Sequence, residues 1–153
     1  MQLGVLAVWL GAAAFFSAAV APALFAVLPS RTLAGEVVGR LLPTILYSGM
    51  LVGLWVAVTQ VREGGAWSWR GRETAGALMI VACAVAQLIV APRIEQIRAA
   101  IGGPIEGLPL DDARRIAFGR LHGVSVAWLG AAMLAAAIAL VAAGRSLQTS
   151  DRS

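Results

Sequence analysis

Residues 3–28, LGVLAVWLGAAAFFSAAVAPALFAVL, hold no charged side chain. A helix of this length reaches about 39 Å, enough to cross a hydrocarbon core of roughly 30 Å with some tilt or a bend. Pro22 is the expected bend, because it withholds a helical N–H and its ring crowds the preceding turn. Ala19-Val20-Ala21 also resembles a signal cleavage site. However, no basic segment precedes the run, and its apolar part exceeds the ~7–15 residues of a signal core. A retained membrane helix is the expectation.

Composition extends that reading to the whole chain. Of 153 residues 59% are hydrophobic and 13% charged, with a mean hydropathy of +0.82. A soluble domain carries about a quarter charged residues. This chain has too few to coat a globule, so the solvent for most of its exterior is lipid. The 12 basic residues are all arginines. They sit in short segments between apolar runs, at headgroup level, and form neither a basic stripe nor a base-stacking platform, which argues against nucleic acid.

Three further spans follow, at about 43–61, 74–91 and 121–143, giving an all-α four-helix membrane domain. Between the first and second, Ser30 can cap a short interfacial helix whose Leu33, Val37, Val38 and Leu41 share a face. Pro43 suits the first turn of the second span. After that span, Trp67 and Trp69 beside Arg70 and Arg72 read as a headgroup anchor. The third span bends at Pro92 and continues as a helical stretch to Gly102-Gly103-Pro104. Asp111 is the expected N-cap of the last helix, which runs to about Ala143. Residues 144–153 read as a disordered polar tail.

The halves resemble each other. Val20-Ala21-Pro22 answers to Val90-Ala91-Pro92, and Gly39-Arg40-Leu41 to Gly119-Arg120-Leu121. Two spans per half would make a parallel 2+2 repeat about an axis along the membrane normal.

Polar groups that could carry chemistry are few. His122, the single histidine, shares a face of the last helix with Arg115, Gly119 and Ser125. It could ligate haem or a metal, transfer a proton, or bond to a backbone carbonyl or carboxylate across a helix contact. The lone Cys83 lies inside an apolar run, which excludes an intrachain disulfide or a cysteine zinc site. Glu95 and Arg98, with Arg93, Asp111, Asp112, Arg114 and Arg115, form either an ion-pair network or a site for an anionic headgroup or substrate. Gln87, deepest in a span, is expected to hydrogen-bond to a neighbouring helix. Gly35 and Gly39, Gly49 and Gly53, and Gly119 and Gly123 are spaced for close helix packing. No phosphate loop, nucleophile elbow, metal-binding His-Glu motif or serine triad is present, and the residues favour a non-catalytic role.

Ala21-Pro22-Ala23-Leu24-Phe25, Ala34-Gly35-Glu36-Val37-Val38-Gly39, Pro92-Arg93-Ile94 and Phe118-Gly119-Arg120-Leu121-His122-Gly123-Val124-Ser125 resemble the bacterial family called domain of unknown function 4149. That family is similar to eukaryotic transmembrane protein 205. The resemblance implies a four-helix domain of a bacterial plasma membrane with no assigned reaction. The eukaryotic relative's link to platinum-drug resistance implies transport or trafficking. The features it carries over are Pro22, Gly35, Gly39, Pro92, His122 and Ser125. Members often have an Asn shortly after the His-x-x-Ser stretch, and Val126-Ala127-Trp128-Leu129 has none here.

The expected function is a small transport or permeation component in the bilayer, with a path formed between subunits of a homo-oligomer. Two alternatives are a haem- or quinone-associated protein centred on His122 and an accessory subunit of a larger membrane complex. Four spans put both termini on one side, expected to be the cytoplasm.

Overall fold

The computed structural model describes residues 2–61 and 69–150. Among these there are helices and no strands. The first span is α1 (Gln2–Phe15), one π-helical turn (Phe16–Val20) and α2 (Ala21–Val27). The second is α3 (Arg31–Val61). The third is α4 (Trp69–Ala84), a second π-helical turn (Val85–Val90) and α5 (Ala91–Ile101). A short 3-10 turn, Ile105–Gly107, leads to α6 (Ala113–Ser150), the fourth. All four spans are long and apolar enough to cross a membrane. Only 22% to 39% of each is buried within the protein, so the remaining apolar surface needs an apolar solvent. Val8, Leu51, Leu78 and Leu134, one on each span, are all at least 60% exposed. The chain is an integral membrane protein.

Both prolines that end the Val-Ala-Pro motifs follow a π-helical turn. Ala21 donates its N–H to the Phe16 carbonyl, and Ala91 to that of Ala86, five residues back in each case. The widened turn gives the following ring room against the preceding carbonyls, so the span turns without breaking. The two halves also match in what they bury. Leu6, Trp9, Ala13 and Phe16 correspond to Gly76, Met79, Cys83 and Ala86 at a constant shift of 70 residues, and all eight are buried.

In the core, α3 and α4 touch through their backbones. A Cβ on Gly53 would lie 2.9 Å from the Gly76 carbonyl oxygen, and one on Gly76 would lie 3.0 Å from that of Gly53. One turn away, Gly49 makes room for the Trp9 ring and the Cys83 sulfur, each 2.7 Å from where its Cβ would stand. Trp9 Nε1–H donates to the Ile45 carbonyl at 3.0 Å and fastens α1 to α3. On α6 the core face is mostly alanine, at Ala132, Ala135, Ala136 and Ala139. Small side chains let the helices come close, which matters where lipid is as apolar as the core itself.

Several expectations need correction. The interfacial helix over 33–42 is not separate but forms part of α3, which passes through Pro43 unbroken. No capping residue or turn lies between Leu33 and Pro43, so nothing stops the helix there. The last helix is capped by Asp112 rather than Asp111. Asp112 Oδ1 accepts the Arg114 N–H at 2.8 Å, and its carbonyl accepts that of Ile116 at 3.0 Å. The backbone stays helical through Gly144 to Ser150, where a disordered tail was expected. Gly144 is followed by helix-compatible Arg145, Leu147 and Gln148, with no proline to end the helix. The Trp67-Trp69-Arg70-Arg72 anchor falls outside the described side chains, as do residues 151–153.

The backbone contact between α3 and α4 gives a direct expectation. Gly76→Leu should lower unfolding stability by about 2 kcal/mol, because the added side chain overpacks against backbone that cannot yield. Gly123→Leu should change it by less than about 0.5 kcal/mol, as for a surface position, since nothing lies within 4 Å of a Cβ there. Equilibrium unfolding in mixed detergent compares the two.

Candidate functional site

Charged residues gather where the loops join the spans. Arg40 on α3 and Arg120 on α6 are the last ionisable charges before long apolar stretches, and Pro92-Arg93 plays that part on α5. Beside Arg40, α3, α5 and the loop after α5 enclose an open groove of about 780 Å³. Its walls carry Glu36 and Arg40 from α3 and Glu95 and Arg98 from α5.

The loop is folded back over the groove by local bonds. Pro29 stops α2, and Ser30 Oγ then caps α3 by accepting the Leu33 N–H at 3.1 Å. Glu106 reaches the same helix end from a distant part of the chain. Its carboxylate accepts the Thr32 N–H at 2.9 Å and the Thr32 hydroxyl at 2.6 Å. The Thr32 Oγ in turn accepts the Ile105 N–H at 3.3 Å. A carboxylate at a helix N-terminus is favoured by the exposed amides and by the helix dipole. These bonds, the Thr32 hydroxyl first and Glu106's own backbone next, hold the Glu106 carboxyl down from its usual 4.5 to about 2. At the other end, Gly102 closes α5 at a φ of 65°, the left-handed region that favours glycine. Arg115 donates to the Leu108 carbonyl at 2.6 Å and ties the loop to α6.

Arg98 occupies the inner wall. Its Nη2 lies 2.5 Å from where a Cβ on Gly35 would stand, and its Nη1 3.7 Å from one on Gly39. The bare Gly35 turn is what admits a guanidinium between α3 and α5, while a Cβ at Gly39 would make only ordinary contact with it. The guanidinium carbon also stands 5.5 Å from the Phe118 ring centre, a cation–π contact that brings in α6. Its Nε is buried with no hydrogen-bond partner, and among the described residues Arg98 makes no ion pair. A buried, unpaired guanidinium N–H is a costly feature unless something binds it.

The expected ion-pair network is therefore not formed. Among the described residues the ion pair is Asp112–Arg114 at 2.9 Å. The Arg114 side chain and backbone N–H pull the Asp112 carboxyl from 3.8 to about 2. Glu95 does not pair with Arg98, because the guanidinium turns across to α3 instead of along its own helix.

The other candidate residues lie apart from the groove. His122 is exposed and stacks on Phe118, with ring centres 6.3 Å apart and planes 8° from parallel. Ser125 is buried on the core side of α6. Cys83 is held in the core beside Gly49, and among the described residues no three of His, Cys, Asp or Glu converge on a metal position. Gln87 sits in the second π-helical turn with its Oε1 buried and unbonded. Its expected bond to another helix is missing there because neighbouring backbone amides serve their own helices. Among the described residues nothing lies within 4 Å of where a Cβ on Gly119 or Gly123 would stand. Phe118, which joins Arg98 to His122, and the pair Thr32–Glu106 were not anticipated. The first had a signal in its i, i+4 spacing to His122; the second, 74 residues apart, had none.

Fold and site together define a four-span membrane protein with a charged groove where α3, α5 and the loop after α5 meet. The model of the family described as Domain of unknown function (DUF4149) matches residues 4–102, and the chain belongs to that family. The match takes in all four charged groove residues and stops short of Phe118 and His122. No curated protein and no solved structure matches the chain.

The Glu106 clamp sets a pH dependence. Its folded pKa is depressed, so its stabilisation is full above 4.5 and is lost as pH falls toward about 2. The difference in thermal midpoint between wild type and Glu106→Gln should be constant above that upper value. It should narrow below and vanish at the lower one, in a series of melts by circular dichroism.

Proposed function

We propose that the chain is a small, non-catalytic transport component that takes a ligand bearing an anionic group at the Arg98 groove. The observation that carries this reading is the Arg98 guanidinium, set against the bare Gly35 turn with its Nε buried and unpaired. A rigid cationic fork of this kind suits a carboxylate or phosphate oxygen pair. The groove is open to the protein surface, where a ligand can enter it. Its four charged residues belong to the stretch matched by the family model.

Among the described residues, Leu6, Trp9, Leu46 and Met79 pack the middle of the bundle, which disfavours a passage through a single copy. A path would form between copies. Gly119, Gly123 and Gly130 on the outward side of α6 leave space there for another helix.

Proteoliposomes loaded with radiolabelled inorganic phosphate or a small dicarboxylate test the reading. Wild-type protein should raise efflux at least about tenfold over empty vesicles, and Arg98→Gln should remove most of that gain. His122→Ala should keep it. Efflux by Arg98→Gln at the wild-type rate would show that the groove is not the ligand's seat.

A further inference from the structure

The groove wall is electrically balanced, and its charges are unspent. Glu36 and Glu95 face the same space as Arg40 and Arg98. The spacing within α3 and within α5 would allow each Glu to pair with its own helix's Arg. Among the described residues none of the four side chains makes an ion pair, and Arg98 Nε has no hydrogen-bond partner. A ligand carrying only negative charge would satisfy Arg98 while standing beside two carboxylates, which repel it. A purely cationic ligand would meet the converse problem. A ligand with both signs matches the wall more fully than either alone.

Three further observations say where each sign goes. The α3 N-terminus, the obvious backbone seat for an anion, is already filled by the Glu106 carboxylate. The remaining anion seat is Arg98, whose guanidinium is braced by Gly35 and Phe118 and carries a buried Nε with no partner. Glu36 and Glu95 are exposed side chains on the same groove, free to accept N–H bonds from an ammonium group.

From this we infer that the groove recognises a phosphate joined by a short linker to a primary ammonium group, the chemistry of a phosphoethanolamine. The phosphate engages Arg98 and the ammonium engages Glu36 and Glu95. The inference rests on the Arg98 seat proposed above and adds the second charge. The ligand's source is either the headgroup of a zwitterionic phospholipid or the free phosphomonoester.

Native mass spectrometry of the full chain, delipidated and then titrated with defined lipids, tests it. Phosphatidylethanolamine should be retained at least about tenfold better than phosphatidylglycerol, which has the phosphate without the ammonium. The double variant Glu36→Gln/Glu95→Gln should erase that preference while still binding phosphatidylglycerol. Arg98→Gln should weaken both lipids by about tenfold or more, with helix content by circular dichroism unchanged. Competition by free phosphoethanolamine assigns the soluble source, and retention of intact lipid alone assigns the headgroup. Equal retention of the two lipids by wild type, or a preference that survives in the double variant, overturns the zwitterion inference even if Arg98→Gln still releases lipid. Undiminished binding by Arg98→Gln overturns the seat itself.

Discussion

In hydrocarbon no water is available to complete a hydrogen bond, so every backbone amide and carbonyl must be satisfied within the protein. That constraint shapes each span. The spans are helical from end to end, and where Pro22 and Pro92 withhold a donor the helix widens by one turn instead of opening. Three hydroxyls inside the spans return to their own helix: Ser17 to the Ala13 carbonyl, Ser48 to that of Ile45 and Thr59 to that of Trp55. The Trp9 indole N–H, which would otherwise be stranded, finds the Ile45 carbonyl on the next span. Polar chemistry is thereby displaced to the boundary, where Arg98 and its neighbours stand.

The same solvent removes the usual reason for helices to associate. Leucine gains little by leaving lipid for a protein core, so contact area and close fit must hold the bundle. The glycines answer that need in two different ways. Gly53 and Gly76 bring two backbones together, and Gly49 opens a recess for Trp9 and Cys83. Gly35 does something else, making a slot for a charged side chain rather than a helix. A glycine in a membrane helix thus serves either cohesion or binding, and what enters the slot decides which. On α6 the described residues leave the space at Gly119 and Gly123 unfilled.

Much of the fold was legible in the sequence because its strongest signal, an apolar run long enough to span, needs no partner to be read. Residues 3–28 announce a membrane helix whatever surrounds them. The π-helical turns were not legible, since a single widened turn shifts the helical period too little to show, and only the prolines hinted at bends. Gly76 was overlooked because it has no glycine partner one turn along its own span, and its match, Gly53, lies on another. Asp111 and Asp112 are equally good caps by composition, and the turn from Pro109 decides between them. The site was half legible. Glu95 and Arg98 three residues apart suggest an ion pair, but that spacing says nothing of the empty space at Gly35, which draws the guanidinium to α3. Contacts that join residues 32 and 106 depend on how the loop folds back, and no local pattern encodes them.

The account stands on lipid, not water, covering the exposed apolar faces while water reaches the groove. Single cysteines placed in a Cys83→Ala background and treated with a water-soluble maleimide in intact membranes measure this directly. Positions 51 and 88, 67% and 58% exposed in the protein, should stay unlabelled until the membrane is dissolved in denaturant. Positions 36 and 95 should label readily once both sides are accessible. Rapid labelling of positions 51 and 88 in the intact membrane would contradict the four-span arrangement and everything built on it.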